Sequence, residues 1–211
     1  MANDSRAVPE LIFQEAGHKY FLNGTEVPSV TTVLQPLVDY SHVPPAVLAA
    51  AADLGTKVHR ACELFDHDDL VMDALDPRLV GYVAAWARFK RETGFVVEFN
   101  EHRVYSTIYR CAGQFDRVGL MIGMLGKPRG QVEIKTTADF MPSFGPQTAG
   151  YHQLIGESGL MDKRTHAALR RWVVQLREDG SYRLEAYTDP ADLSVFTSCL
   201  CLYHWRQHNQ K

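Results

Sequence analysis

The pattern of apolar and polar positions predicts a chain that mixes helices with strands. Apolar residues recur at helical spacing over 46–65 and 76–93, and Gly94 is expected to end the second of these helices. Two later helices are predicted over 146–156 and 189–207, each opened by a proline. Four of the predicted elements are therefore helices long enough to cover a sheet.

Alternating apolar and polar positions predict the strands. Turn signals at Glu15-Ala16-Gly17 and Asn23-Gly24 indicate a hairpin near the start of the chain. The predicted strands lie at 11–14, 18–22, 95–99, 103–106, as a neighbouring pair within 113–135, and at 166–176 and 181–187. This order favours a mixed α/β fold with a central β-sheet flanked by helices.

Length and composition are those of a globular protein. The 211 residues favour a single domain over 1–211, with 1–10 as a flexible tail. The net charge of −3 argues weakly against a nucleic-acid binder, because metal-binding acids can offset a basic surface. The chain has neither an apolar run long enough to span a bilayer nor a signal-peptide pattern, so we expect a cytoplasmic protein that does not associate with a membrane. The four cysteines, at 62, 111, 199 and 201, are expected to be ordinary thiols.

The stretch from 113 to 135 carries the candidate chemistry. Asp116 stands near the start of its first strand, and Glu133 and Lys135 stand two apart on the second, so both point to one face while Ile134 points to the other. Carboxylates and a backbone carbonyl are suitable ligands for a hard divalent cation beside a phosphodiester. Taken singly, each residue is more often a turn, capping or solvated surface residue.

A helix face ahead of this stretch adds to the pattern. His59 and Glu63 are four residues apart and therefore share one face of the helix over 46–65. Gly55 lies one turn earlier, and a glycine inside a helix suggests close packing or the approach of a ligand. The histidine could complete a metal site, although a lone histidine is more often a satisfied, partly buried side chain.

These residues, in this order, resemble the PD-(D/E)XK nuclease superfamily, and specifically its RecB-like exonuclease branch, which includes phage recombination exonucleases and the mitochondrial genome-maintenance exonuclease. The matching segments are Pro28-Ser29-Val30-Thr31-Thr32-Val33-Leu34, Gly55-x-x-x-His59-x-x-x-Glu63, Gly113-Gln114-Phe115-Asp116, Glu133-Ile134-Lys135 and Gln147-x-x-x-Tyr151. Each motif is weak alone, and the five in order cover roughly residues 27–155.

The resemblance implies a role for each matched position. It implies a restriction-endonuclease-like fold in which Mg²⁺ or Mn²⁺ is held by His59, Asp116, Glu133 and the Ile134 backbone carbonyl. Lys135 would be the catalytic lysine and Glu63 an auxiliary acid. Gln147 and Tyr151 would contact the substrate DNA. Lys57 and Arg60 are not part of the matched motifs; they flank His59 and are candidate phosphate contacts by their charge, with a solvated surface charge as the alternative for each. The cysteines depart from the spacing of the iron–sulfur members, so no iron–sulfur cluster is expected.

The function that the resemblance implies is a Mg²⁺- or Mn²⁺-dependent DNA exonuclease in phage or bacterial recombination, repair or end processing, in a bacterial cytoplasm or a phage-infected host. Three alternatives stay open: a structure- or site-specific endonuclease of the same superfamily, a catalytically silent DNA-binding module, and a small-molecule hydrolase with a metal site. The resemblance also leaves room for a single-strand annealing or recombination protein as partner. Digestion polarity, strand preference and oligomeric state are not determined by the sequence.

Overall fold

The computed structural model describes residues 9–209 of the chain, so the predicted tail over 1–10 falls almost wholly outside the described residues. The strands are β1 (Leu11–Gln14), β2 (Lys19–Leu22), β3 (Thr25–Val27), β4 (Phe95–Ser106), β5 (Cys111–Met121), β6 (Arg129–Lys135), β7 (Arg170–Leu176) and β8 (Tyr182–Tyr187). The α-helices are α1 (Val30–Val33), α2 (Pro45–Asp66), α3 (Pro77–Thr93), α4 (Phe144–Glu157), α5 (Lys163–Ala167) and α6 (Ala191–Asn209).

The central sheet is mixed and has five strands in the order β4-β5-β6-β7-β8. β6 and β7 run parallel, and the other neighbours are antiparallel. The parallel pair requires a crossover, which α4 and α5 provide. The predicted fold class, a mixed central sheet flanked by helices, is confirmed.

Helices cover both faces of this sheet, and each face has its own core. On one face α2 and α3 pack against the sheet, with Trp86 and Phe89 of α3 fully buried near Ile134 of β6. On the other face α1, α4 and α6 pack together, and Phe196 of α6 lies against Phe115 of β5. Buried apolar area on this scale is the main stabilising term of such a fold.

Local signals explain where several elements begin and end. The Asp76 side chain accepts a hydrogen bond from the Arg78 amide and so caps α3, and Gly94 ends that helix with φ 62°, a conformation that suits glycine. Ser29 caps α1 by accepting from the Thr32 amide. The boundaries of α3 follow the sequence prediction closely.

Four predicted elements need correction. The strands predicted at 95–99 and 103–106 are one continuous strand, β4, whose register against β5 shifts between Val97 and Phe99. The hairpin predicted from residue 166 begins later, because Lys163–Ala167 form α5 and β7 starts at Arg170. Helix α4 begins at Phe144, two residues before the proline that was expected to open it.

The first three strands form a separate antiparallel sheet in the order β1-β2-β3. The predicted hairpin and the turn at Asn23-Gly24 are therefore both present. Tyr20 and Leu22 of β2 pack on Ala112, next to the bridge that Ala112 makes with Ser29. This contact fixes the small sheet beside one end of β5, where the candidate site lies.

Candidate metal centre

The two strands that carry the predicted acids separate at the candidate site. Backbone pairing between β5 and β6 ends at Arg117 and Val132. Beyond that point the Asp116 carboxylate accepts a hydrogen bond from the Ile134 amide at 2.6 Å, and the Glu133 carboxylate accepts one from the Asp116 amide at 3.4 Å. Side chains thus take the place of the backbone ladder and bring two carboxylates together.

The imidazole of His59 reaches this point from α2. Its Nε2 lies 3.2 Å from the Ile134 carbonyl oxygen, and its Nδ1 lies 3.4 Å from Asp116 Oδ1. Glu101 of β4 approaches the same ring nitrogen, with Oε1 3.5 Å from His59 Nδ1. One donor atom from each of His59, Glu101 and Asp116 lies within 4.8 Å of the others, which is close enough for one metal ion.

The donor set fits a divalent cation. Two carboxylates and one imidazole, with the Ile134 carbonyl beside them, offer mainly the oxygen ligands that Mg²⁺ and Mn²⁺ prefer. Glu133 borders the three-residue group through its contact with Asp116. The predicted ligands are therefore all brought to one place, together with one acid that was not predicted.

Glu101 was missed because the sequence interpretation broke the strand at 100–102. The missing signal was the register of the β4–β5 hairpin, which pairs Ser106 with Cys111 and His102 with Phe115. Counting back along this register puts Glu101 opposite Asp116. Glu101 also has φ 46°, a rare conformation for a residue with a side chain, and such backbone strain is often found at functional sites.

Buried partners hold Glu101 in position. Arg117 donates to Glu101 Oε1 at 2.8 Å, and the Gln114 amide donates to Oε2 at 2.8 Å. The Arg117 guanidinium is itself fully buried and donates through Nε to Asp66 at 2.7 Å. Asp66 in turn accepts from Lys90 at 2.6 Å. A chain of charge-assisted hydrogen bonds thus runs from the core to the candidate metal ligands.

Burial and neighbouring charges shift the pKa values of the groups in the site in different directions. Burial alone would lower the pKa of His59, but the Asp116 and Glu101 carboxylates outweigh it and raise that pKa to about 10. Burial opposes ionisation of Asp116 as well, yet the His59 ring helps to lower its pKa to about 2. Burial, and then the Asp116 charge, raise the pKa of Glu133 to about 8. Perturbation of this kind clusters at functional sites.

Lys135 lies on the predicted face of β6. Its Nζ is 3.7 Å from Glu133 Oε2 and 5.3 Å from the centre of the Phe144 ring. Gln147 and Tyr151, on α4, are both buried and line the same cleft. Burial and the nearby acids raise the pKa of the Tyr151 hydroxyl well above its usual value, so it stays protonated.

These groups open into one cleft of about 860 Å³. Glu63 and Arg60 lie on its wall and form an ion pair at 2.5 Å. Lys57 instead pairs with Asp53 at 2.6 Å and lines a separate pocket of about 460 Å³. The structure therefore brings together all the predicted site residues except Lys57.

The four cysteines are distributed over three elements. Cys62 is on α2, Cys111 on β5, and Cys199 and Cys201 on α6; the first three are buried and Cys201 is exposed.

Between residues 9 and 209, no helix is both long and apolar enough to cross a membrane.

Comparison with known proteins adds little. No protein-family model matches the chain, and no curated protein matches it. Among solved structures, one similar chain is a crystal structure from Eubacterium rectale described as a "putative exonuclease". The match has 7% sequence identity and a TM-score of 0.48, and it covers 72% of this chain and 65% of that one. This chain thus spans slightly less than two thirds of that structure, and the likeness carries no argument about activity.

Proposed function

We propose that this chain is a divalent-metal-dependent DNA exonuclease, a single nuclease domain of the RecB-like branch of the PD-(D/E)XK superfamily. One observation carries the proposal. His59, Glu101 and Asp116 place donor atoms within 4.8 Å of one another at the point where β5 and β6 separate, and Lys135 extends from β6 into the same cleft. Recombination, repair or end processing in phage or bacteria is the proposed setting.

Each side chain has a proposed part in hydrolysis. His59, Glu101, Asp116 and Glu133, with the Ile134 carbonyl, would hold Mg²⁺ or Mn²⁺. A bound ion of this kind polarises a phosphate and lowers the pKa of water. The ordered contacts among these ligands support this role, because they position the ligand atoms before any ion binds.

Lys135 is the proposed catalytic lysine. Its ammonium lies beside Glu133 at the mouth of the separated strands, where it would orient the attacking water and stabilise the charge that develops on the phosphate. Glu63, which is paired with Arg60 on the wall of the cleft, is the proposed auxiliary acidic residue. Gln147 and Tyr151 would shape the wall against which the substrate DNA lies.

The cleft itself favours phosphodiester over small apolar substrates. Its lining is dominated by charged and polar side chains such as Glu63, Arg103 and Gln114. A small-molecule hydrolase would be expected to have a mostly apolar pocket instead. An endonuclease of the same superfamily remains the nearest alternative, since the same chemistry would cut DNA internally.

The proposal is tested by digestion of 5′- and 3′-labelled single- and double-stranded oligonucleotides with Mg²⁺, Mn²⁺ or EDTA. We expect cleavage with either metal and none with EDTA. Lys135→Ala should lower the rate by about 10²-fold or more while metal binding persists. Lys163→Ala, which removes an exposed lysine on α5, is the matched control and should keep the wild-type rate.

Two outcomes would contradict the proposal. Wild-type digestion by Lys135→Ala would show that the assigned site is wrong, and digestion that resists EDTA would exclude metal dependence. Covalently closed circular DNA distinguishes the proposed exonuclease from an endonuclease, because an exonuclease leaves this DNA intact and an endonuclease cuts it.

A further inference from the structure

The cleft has a second wall that the catalytic assignment does not use. Glu15, His18 and Tyr20, from the β1–β2 hairpin, line the same cleft as His59 and Asp116. The hairpin is held there because buried Tyr20 packs against the end of β5. Groups on this wall therefore face whatever enters the candidate metal centre.

Arg103 supplies a positive charge on this wall. It follows Glu101 by two residues on β4, pairs in register with Gln114 and is exposed to the cleft. Its guanidinium carbon lies 4.4 Å from the centre of the Phe13 ring. Residues 9–209 offer Arg103 no ion-pair partner within 4.0 Å, whereas Arg60 on the opposite wall is paired with Glu63. Arg103 is thus a pre-positioned cation with its charge available to an anion.

Two further rings lie beside the Phe13 ring that Arg103 contacts. The Phe13 ring centre lies 4.9 Å from that of His18 at an interplanar angle of 80°, and 4.8 Å from that of Tyr20. His18 is exposed and has φ 52° at the hairpin turn, so the backbone conformation sets where its ring projects. An exposed ring supported edge-on by two others is suited to stacking on a planar group.

We propose that Arg103 and His18 form a subsite for one nucleotide of an unpaired DNA strand, with Arg103 binding a phosphate and the His18 ring stacking on the base. The inference rests on the proposed function, since it concerns the same cleft. Every base of a single strand can offer a face for stacking, whereas a blunt duplex exposes only the outer faces of its terminal base pairs, so the combination of a ring and a nearby cation favours single-stranded DNA over blunt duplex.

The test measures binding rather than cleavage. In the Lys135→Ala background, fluorescence anisotropy with Ca²⁺ compares a labelled oligothymidine with a blunt duplex of the same length. We expect tighter binding of the single strand. Arg103→Gln and His18→Asn should each weaken single-strand binding by about tenfold and change duplex binding much less. Asparagine is chosen at position 18 because it tolerates a positive φ.

The controls separate this inference from its premise. Arg170→Gln removes an exposed arginine at the opposite end of the sheet and should leave both affinities unchanged. Unchanged thermal unfolding of each variant shows that the fold is kept. Equal loss on both substrates, or no loss on the single strand, would overturn the subsite. Failure of the nuclease proposal gives a different result. The unmodified chain would then show no metal-dependent cleavage, while the differences in binding between the variants would persist.

Discussion

The buried charge chain behind the metal centre leads to a quantitative prediction for Asp66→Ala. Asp66 is 1% exposed and accepts hydrogen bonds from Arg117 at 2.7 Å, Lys90 at 2.6 Å and Trp86 at 3.0 Å. Its removal leaves the fully buried Arg117 guanidinium with only one of its two carboxylate partners, Glu101. Breaking a buried ion pair in this way costs about 3–5 kcal/mol, a large part of the roughly 5–15 kcal/mol that stabilises a typical domain.

The measurement is urea-induced unfolding followed by tryptophan fluorescence, with a thermal melt alongside it. The midpoint of thermal unfolding of a chain of this size falls by about 2–4 °C for each kcal/mol of lost stability, so Asp66→Ala should lower it by roughly 6–20 °C. Glu98→Ala is the control, because its pair with Arg129 at 2.6 Å is more than a quarter exposed on both sides and should contribute about 0–1 kcal/mol. If Asp66→Ala costs no more than Glu98→Ala, the chain does not stabilise the fold as described.

Three other predictions concern the site. Glu101→Gln should weaken Mn²⁺ binding at least about tenfold by calorimetry, and wild-type affinity would remove Glu101 from the ligand set. Metal binding should release protons from two ligands. Burial raises the pKa of Glu133 to about 8 and the neighbouring carboxylates raise that of His59 to about 10, whereas a cation binds only the ionised carboxylate and the neutral imidazole. The apparent affinity should therefore rise from about pH 6 to about pH 10, and a flat profile would contradict this. Gly113→Ala should destabilise the fold by about 1–3 kcal/mol, because the added Cβ would lie 2.7 Å from the Tyr151 ring. Gly55→Ala, where the nearest atom is 3.7 Å away, should not.

Gly55 is a position at which the local pattern allows two explanations. A glycine inside a helix suggested either close packing or the approach of a ligand. A Cβ built at this position would meet only the Thr136 hydroxyl, at ordinary contact distance. Packing therefore does not require glycine there, and the position lines the cleft, so the approach of a ligand stays a prediction.

Local sequence determined much of the fold. Helix α3 could be bounded within a residue, because Asp76, Pro77 and Gly94 act on the backbone directly beside them. The orientation of Glu133 and Lys135 to one face followed from the two-residue repeat of a strand. Such features depend only on chain neighbours, which is why the sequence reveals them.

The tertiary structure decided which groups meet. Glu101 joins His59 and Asp116 only because β4 is one continuous strand whose register against β5, counted from the hairpin turn, brings it opposite Asp116, and that register depends on pairing between strands. Arg103 gains its place beside Phe13 because a separate small sheet docks on β5. The order of acids and lysine along the chain was enough to suggest the chemistry. The full ligand set and the second wall of the cleft depend on contacts between distant segments, which no local pattern encodes.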